Sequence, residues 1–478
     1  MYKSALRLAG IASITFFSGV ILLKGLYMCW VSPSWDESVY MLMGKHLYSL
    51  GKSGLWEAYR PPFLPVLLGL IWKTGLDLFV GGRVLFSLMS LLLIYLTYRL
   101  SRRVFGEDAA LFSVVFLVFS PVFIAHADGF FTEIPSTIFG LLGVFLWLRN
   151  RLFLCGVMCG VSFLTRFPQG LLFAGIVCAT ILFHKNYRFR AILGLIAGFA
   201  SVVSVYLVLN HIFYKDVFWP FVLQARVIKA GWSPELKDAA YYVKIFIKKE
   251  NIFIIFFLLG CVVSARNKSP GQALFCIIAL AFTAYFHSIV NMLPRYFIAV
   301  MPYIFSVSGY GLSVMLEKAL RRQLALLMLA AGLGAVFLLQ KTPYLKWRPP
   351  AMSVGTIEKY IAAHAKEFGG RIWLSDPSLI AHTDLKADEL MYYFDCAKAR
   401  YLMANLDKAD WIFLRPLGLY CFPRDADCLV CKNDLLNKIN ENFIKTARWQ
   451  EEYRSYIYES AVYMNALAGG ESEGGKGN

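Results

Sequence analysis

The amino-acid sequence predicts a mainly α-helical protein that crosses a membrane many times and carries a small carboxy-terminal α/β domain. Of its 478 residues, 58% are hydrophobic and only 17% are charged, and the mean hydropathy is +0.56. The apolar residues occur in long uninterrupted runs, which the core of a soluble protein of this size does not need. Polar and charged residues become more frequent only near the carboxy terminus. Together these observations predict a polytopic membrane protein.

The formal net charge of +17 raises the question of a nucleic-acid partner. The basic residues, however, stand between the apolar runs and form no stripe interleaved with aromatic residues. Lys and Arg accumulate in the cytoplasmic loops of membrane proteins, and this bias accounts for the excess. We therefore expect membrane lipids, and no nucleic acid, as partners.

About eleven transmembrane helices are predicted, because a span needs about 20 mainly apolar residues. The predicted spans are 6–30, 83–100, 108–126, 131–148, 152–165, 168–184, 191–211, 251–265, 272–288, 296–316 and 323–340. The first is expected to be a retained anchor, since it is long and lacks a small-residue cleavage site. Basic clusters precede the first span and follow every second span after it, which places these loops in the cytoplasm: Lys3 and Arg7; Arg99, Arg102 and Arg103; Arg149 and Arg151; Lys185, Arg188 and Arg190; Arg266 and Lys268; Lys318, Arg321 and Arg322.

The first outer loop, residues 31–82, begins with an acidic pair, Asp36 and Glu37. Apolar residues at helical spacing follow the pair and predict a helix along the membrane interface: Val39, Leu42, Met43, Leu47 and Leu50. At the amino end of this helix, Asp36 either caps the helix or points into a cavity as a catalytic group. Residues 62–76 are expected to form a short helix at the outer interface, since a full span there would move every later basic cluster outside.

A separate domain is predicted for residues 341–468, after a transmembrane part at 1–340. Amphipathic patterns predict helices at 353–368 and 434–443, and short β-like runs occur at 371–374, 411–414 and 453–458. The number of spans places this α/β domain outside the cytoplasm. The tail at 469–478 is rich in Gly, Glu and Ser and is expected to be disordered.

Four cysteines lie in this domain: Cys396, Cys421, Cys428 and Cys431. Cys428 and Cys431 have CxxC spacing, but no second CxxC or nearby pair of histidines completes a zinc site. An extracytoplasmic domain can form disulfides, so we predict structural disulfides and leave their pairing open.

Several motifs occur in a characteristic order along the first 340 residues. They are Trp35-Asp36-Glu37-Ser38-Val39-Tyr40, Arg60-Pro61-Pro62-Phe63-Leu64-Pro65, Tyr98-Arg99-Leu100-Ser101-Arg102-Arg103, Ser120-Pro121, the loop 128–133, Thr165-Arg166 and Pro294-Arg295-Tyr296. This order resembles the C-type (GT-C) membrane glycosyltransferases. Within them it is most similar to the branch of the dolichyl-phosphate-mannose protein mannosyltransferases and aminoarabinose transferases.

The resemblance implies an enzyme that moves a sugar from a polyprenyl phosphate, dolichyl or undecaprenyl, to an acceptor on the extracytoplasmic face, with inversion. Such a reaction needs a base for the acceptor hydroxyl and cations for the leaving phosphate. The resemblance makes Asp36 the candidate base, and partial desolvation is expected to raise the pKa of its carboxyl. Glu37 is expected to orient Asp36 or contact the acceptor; a solvated acid in the first helical turn is the alternative.

Three arginines are the candidate ligands of the donor phosphate. Arg60, Arg166 and Arg295 fall at predicted outer ends of spans, and guanidinium groups suit bidentate contacts with phosphate. The alternative is that they extend to lipid headgroups without a catalytic role.

The remaining candidates are expected around the acceptor or the cavity: Asp128, Glu133, Tyr40, His287 and Tyr296. Helix capping by Asp128 and a structural role for His287 are the alternatives. No cofactor is assigned from the sequence, and the polyprenyl-phosphate sugar is the expected donor substrate. A divalent metal ion is left open, with Asp36, Asp128 and His287 as its candidate ligands.

A polytopic lipid or solute transporter, or flippase, without transferase activity is the main alternative function. Such proteins commonly contain internal repeats with interrupted helices, and no such repeat is visible in the sequence. A membrane scaffold would leave the carboxylates and arginines without a role. The acceptor stays open between protein, lipid and glycan, and the expected location is the plasma membrane, or the endoplasmic reticulum in a eukaryote.

Overall fold

The computed structural model describes residues 2–29, 33–183, 188–230, 255–288, 293–318, 355–391, 396–419, 421, 426–453 and 456–466. The described chain is mainly helical, with one five-stranded sheet near its carboxy-terminal end. Long apolar runs form helices because a helix satisfies all its backbone hydrogen-bonding groups within one segment, which lipid requires. The mainly α-helical fold class with a small α/β part is confirmed.

The helices of the first part are α1 (Tyr2–Met28), α2 (Trp35–Tyr48), α3 (Phe63–Lys73), α4 (Leu78–Phe105), α5 (Glu107–Val118), α6 (Pro121–His126), α7 (Glu133–Trp147), α8 (Leu152–Thr165), α9 (Gly170–Phe183), α10 (Arg188–Tyr214), α11 (Trp219–Ala230), α12 (Phe256–Asn267), α13 (Pro270–Ser288) and α14 (Met301–Lys318). Short 3-10 turns at Phe167–Gln169 and Pro294–Ala299 precede α9 and α14. Helix α5 is the central one: every residue from Ala109 to Val118 is buried, as expected of a helix that is apolar all round.

Four helices among the described residues are long and apolar enough to cross a membrane, by length and composition: Gly10–Met28, Leu78–Phe105, Arg188–Tyr214 and Pro270–Ser288. The predicted continuous span at 108–126 is instead interrupted between α5 and α6. Pro121 follows the break, and Ser120 Oγ accepts a hydrogen bond from Phe123 N (3.1 Å) to cap the new helix. The count of eleven spans stays a prediction, and its last span, 323–340, lies outside the described residues.

The segment between the first two long helices folds as predicted into two short helices, α2 and α3. The Ser34 N–H donates to Glu37 Oε2 (2.8 Å), so Glu37 and not Asp36 caps the start of α2. The two helices approach closely where Gly44 meets Gly69, since a Cβ on Gly44 would lie 2.7 Å from the Gly69 nitrogen. Helix α2 is thereby fixed with its acidic pair at one end.

The carboxy-terminal part contains α15 (Thr356–Ala363), α16 (Cys396–Ala404) and α17 (Ala426–Asn442), and the strands β1 (Ile372–Leu374), β2 (Glu389–Leu390), β3 (Trp411–Leu414), β4 (Phe443–Tyr453) and β5 (Tyr456–Asn465). The strand order is β2-β1-β3-β5-β4. Strand β1 is parallel to β2 and β3, whereas β5 is antiparallel to β3 and β4.

Two of the three predicted β-like runs are strands β1 and β3. The third, 453–458, is not one strand but the adjoining ends of β4 and β5, which pair along their whole length. The predicted helix at 434–443 is the second half of α17, which begins eight residues earlier. The boundary near residue 340 and the tail at 469–478 lie outside the described residues and stay predictions.

The sheet domain packs on α2 and the start of α4. Lys45 Nζ of α2 donates to the carbonyl oxygens of Ala381 (3.1 Å) and Thr383 (2.6 Å). The ring of His382 stacks on Phe79 with centroids 4.0 Å apart. These contacts hold the domain against the helix whose other end carries Asp36.

Disulfides were predicted for the four cysteines of this domain, and the structure confirms them. Cys396 is bonded to Cys431, and Cys421 is bonded to Cys428. The first bond ties α16 to α17, which are also joined by a hydrogen bond from Lys438 Nζ to the Met403 carbonyl oxygen (3.1 Å).

Removing the Cys396–Cys431 bond is expected to destabilise the protein more than removing the Cys421–Cys428 bond. The two bonds close loops of 35 and 7 residues, for which chain entropy gives about 4 and about 2 kcal/mol. Thermal unfolding of the paired Cys→Ser variants of the full chain, followed by tryptophan fluorescence, measures both losses. Equal losses, or the reverse order, would contradict the expectation.

Candidate active site

A cavity of about 210 Å³ lies where α2, the loop before α7, the α8–α9 turn, α11, α13 and the Pro294–Ala299 turn converge. Its wall contains seven of the ten residues predicted from the sequence: Asp36, Tyr40, Arg60, Glu133, Arg166, Arg295 and Tyr296. These residues come from five segments that are far apart in the sequence. The fold therefore brings carboxylates, guanidinium groups and aromatic rings into one small space.

Asp36 lies between two arginines. Arg60 Nη1 donates to Asp36 Oδ1 (2.9 Å), and Arg295 Nη2 donates to Asp36 Oδ2. The Asp36 side chain is still 26% exposed, so the carboxylate faces the cavity. Burial alone would raise its pKa, but Arg60 and Arg295 outweigh burial and hold the pKa below its usual range. The expected raised pKa is therefore wrong for this arrangement, because desolvation does not act alone.

Arg60 contacts Glu57, Tyr40 and Tyr59 in addition to Asp36. Its Nε donates to Glu57 Oε2, and its guanidinium lies 5.1 Å from the ring centroid of Tyr40 and 5.6 Å from that of Tyr59. Burial lowers the pKa of Arg60, but Glu57, Tyr59 and Asp36 raise it well above its usual value. The side chain is thus a fixed positive charge in the wall of the cavity.

Glu133 joins the other two arginines. Arg166 Nη1 donates to Glu133 Oε1 (2.9 Å), and Arg295 Nε lies 3.4 Å from the same oxygen. Tyr296 lies beneath the guanidinium of Arg166, at 4.8 Å. Among the described residues, Arg166 Nε and Arg295 Nε are buried donors without a hydrogen-bond acceptor. Both arginines line the cavity, so their guanidinium groups lie beside the space that a ligand would occupy.

Glu37 and Asp128 lie behind the cavity rather than in its wall. Arg83 Nη1 donates to Glu37 Oε1 and to the Asp128 carbonyl oxygen (3.0 Å). Lys24 Nζ donates to Asp128 Oδ1. The side chains of Arg83, Asp128 and Glu37 are 1%, 2% and 7% exposed. We call these four residues the buried network.

The position of the buried network corrects two predictions. Glu37 is no solvated first-turn acid, because it is buried, and it is not part of the cavity wall. Its orientation of Asp36 stays a prediction. Burial would raise the pKa of Glu37, but Arg83 and the Ser34 N–H lower it, so it stays charged inside the protein. Asp128 likewise joins the loop before α7 to α1 and α4 instead of facing the cavity.

His287 also lies outside the cavity wall. It is exposed in the last turn of α13, whereas its neighbours Tyr285 and Phe286 line the cavity. Asp36, Asp128 and His287, the candidate ligands of a metal ion, are therefore not brought together in the cavity wall. Within the described part of the chain, no group of three or more His, Cys, Asp or Glu side chains is arranged to hold a metal ion.

Some residues of the site were not among the sequence candidates. Tyr59, Phe167, Gln224 and Tyr285 line the cavity without any motif that marks them. The sequence does contain a feature that marks Lys24 and Arg83 as candidates. Each is a charged residue within or beside a long apolar run, where a charge is costly and needs a partner. Glu57 is marked less strongly, by its position three residues before Arg60, with which it forms an ion pair.

Comparison with known sequences gives a partial match. The family described as dolichyl-phosphate-mannose-protein mannosyltransferase matches residues 59–216. An uncharacterized protein of Aquifex aeolicus (strain VF5) is 25% identical over 292 residues, which cover 56% of this chain and 57% of that protein. The match thus spans little more than half the length of this curated relative.

Comparison with solved structures covers nearly the whole chain. The structure of ArnT from Cupriavidus metallidurans in the apo state has a TM-score of 0.65 at 14% identity, over 96% of this chain and 99% of that one. The structure of the same protein bound to undecaprenyl phosphate has a TM-score of 0.64 at 15% identity, over 95% of this chain and 98% of that one. The structure of the Archaeoglobus fulgidus oligosaccharyltransferase in complex with Zn and sulfate has a TM-score of 0.61 at 11% identity, over 95% of this chain and 73% of that one. At such identities the likeness shows a shared fold, which is that of the GT-C glycosyltransferases.

Proposed function

We propose that this chain, which has the GT-C fold, is a membrane glycosyltransferase that transfers a sugar from a polyprenyl phosphate to an acceptor on the extracytoplasmic face. The observation that carries the proposal is the position of Asp36, held between Arg60 and Arg295 in the wall of a cavity that also contains Arg166 and Glu133. The undecaprenyl phosphate bound to a protein of the same fold supports a lipid-phosphate donor.

Arg166 and Arg295 are suited to the donor phosphate. Each lines the cavity, and each guanidinium is positioned over an aromatic ring: Tyr296 for Arg166 and Phe131 for Arg295. Guanidinium groups bind phosphate oxygens through two parallel hydrogen bonds. In the transfer step the same groups would stabilise the charge that develops on the leaving phosphate.

Asp36 is suited to the role of general base once the phosphate is bound. A phosphate that pairs with Arg295 competes with Asp36 for the same donor. As that ion pair weakens, the pKa of Asp36 rises from its lowered value, and the carboxylate becomes a better acceptor for the proton of an incoming hydroxyl. The hydroxyl then displaces the phosphate at the anomeric carbon in one step, which gives inversion. Donor binding would thus prepare the base for the acceptor.

Besides Tyr296, three tyrosines line the space beside the charged groups of the cavity. Tyr40, Tyr59 and Tyr285 offer rings and hydroxyl groups that could contact either substrate. The three guanidinium groups in the cavity wall are the positive charges that the described residues offer to the leaving phosphate.

Replacement of Arg166 or Arg295 by Ala is expected to weaken binding of the lipid phosphate about 10-fold to 100-fold, because a hydrogen bond to a charged group contributes about 1.5–3 kcal/mol. Binding of radiolabelled undecaprenyl phosphate and dolichyl phosphate to the purified chain measures the effect. Arg226→Ala is the matched control, since Arg226 is an exposed arginine of α11 outside the cavity wall. Unchanged affinity in both cavity variants would contradict the phosphate role.

A further inference from the structure

A second concave surface lies at the opposite end of α7 and α8 from the candidate active site. This cavity, of about 690 Å³, is lined by Arg103, Leu146, Leu148, Arg149, Asn150, Arg151 and Leu154. Glu133 begins α7 at the active site, and α7 is 15 residues long, so the two cavities are about 20 Å apart. The second cavity lies at the end of the helices that carries the basic clusters and cannot be part of the first.

Its three arginines are held by a rigid turn. Asn150 has φ of 58°, and the Arg151 N–H donates to the Leu146 carbonyl oxygen (2.9 Å) as α7 ends. The left-handed conformation of Asn150 ends α7 and allows α8 to begin two residues later. Arg149 and Arg151 therefore flank a fixed turn, and Arg103 joins them from the last turn of α4 through a hydrogen bond to the Leu148 carbonyl oxygen (3.2 Å).

The positive charges converge without a compensating carboxylate. The guanidinium groups of Arg149 and Arg103 lie 4.2 Å and 6.0 Å from the centroid of the same ring, Phe145. Among the described residues, none of the three lining arginines forms an ion pair. Arg151 stands at the N-cap of α8, where a positive charge is unfavourable, and the first turn of α8 contains no acidic residue. Like charges gathered in this way favour an anion between them.

Three leucines contribute the apolar part of the cavity wall. Leu146 and Leu154 line it, and Leu154 and its neighbour Phe153 are 47% and 50% exposed. A free inorganic anion would gain nothing from these side chains, whereas an acyl chain would cover them. A basic pocket between transmembrane helices is suited to the headgroup of an anionic lipid.

We propose that this cavity binds one anionic phospholipid, with its phosphate between Arg103, Arg149 and Arg151 and an acyl chain along Leu146 and Leu154. The proposal does not rest on the transferase function, because the two cavities share no residue. The bound lipid neutralises the charges at the junction of α4, α7 and α8 and so stabilises this end of the helices.

Native mass spectrometry of the full chain, offered equimolar phosphatidylglycerol and phosphatidylcholine with identical acyl chains, tests the proposal. The wild type is expected to retain phosphatidylglycerol preferentially. Combining Arg149→Gln with Arg151→Gln is expected to lower its affinity about tenfold or more, since each arginine near an anionic lipid contributes about fivefold. Arg188→Gln with Arg190→Gln removes the same charge from the exposed start of α10 and is expected to change the affinity less than about twofold.

Three results would overturn the lipid site. Equal retention of the two lipids by the wild type would remove the requirement for a net negative charge. If both double variants lost the same affinity for phosphatidylglycerol, binding would reflect a general attraction between a basic surface and anionic lipid, not a specific site. A rise in melting temperature with millimolar inorganic phosphate as large as that with phosphatidylglycerol would identify an anion site without a lipid. Melting temperatures of the variants without lipid show that they are folded.

Discussion

Asp36→Asn is expected to abolish sugar transfer while the protein stays folded and binds the lipid phosphate at least as well as the wild type. Asparagine keeps the size of the side chain but cannot accept the proton of an acceptor hydroxyl, and a positioned base contributes about 10²–10⁴-fold to a rate. Loss of the carboxylate also releases Arg60 and Arg295 from their ion pairs with Asp36. Two positive groups then become available to the phosphate, which is why binding is not expected to fall.

The measurement is transfer from radiolabelled polyprenyl-phosphate sugars to acceptors in native membranes, together with binding of the unglycosylated lipid phosphate. Asp216→Asn is a suitable control, because Asp216 is an exposed aspartate outside the cavity wall. Transfer retained by Asp36→Asn would remove Asp36 as the base. If folded wild-type protein transferred no sugar from any donor, the transporter alternative would become the better explanation.

Arg83→Ala is expected to lower the free energy of unfolding by about 3–5 kcal/mol, the usual cost of breaking a buried ion pair. Arg83 is 1% exposed and donates to Glu37 and to the Asp128 carbonyl oxygen. Without it, Glu37 is a buried carboxylate that has lost its charged partner. Because Glu37 also caps α2, the helix that carries Asp36 is expected to loosen with it.

Chemical unfolding of the purified chain in mixed detergent micelles measures this loss. Arg99→Ala is the matched control: Arg99 is an exposed arginine of the same helix, and its replacement is expected to cost about 0.5 kcal/mol or less. Should Arg83→Ala fail to accumulate, the pair Arg83→Met with Glu37→Gln removes both charges and is expected to restore part of the stability. Equal stability of Arg83→Ala and Arg99→Ala would contradict a structural role for the buried network.

Several local features of the site could be predicted from the sequence because short-range rules govern them. Helical spacing after Asp36 predicted α2, and the short apolar stretch at 62–76 predicted α3. The sequence also contains the capping signal of α2, since Ser34 and Glu37 form the Ser-x-x-Glu pattern of a capping box; capping by Asp36 was one of the two alternatives above. The lowered pKa of Asp36 was not predictable, because it depends on Arg60 and also on Arg295, which is 259 residues away in the sequence.

By itself, the sequence determined the mainly α-helical membrane class and the helix with Asp36 at its start, and it named the three arginines that line the cavity. These depend on composition, periodicity and short spacings, which act within one segment of the chain. Only the tertiary structure decided that Asp36 faces the cavity while Glu37 faces Arg83. Adjacent residues of a helix point about 100° apart, so the role of each acid depends on which distant helices pack against its side of α2.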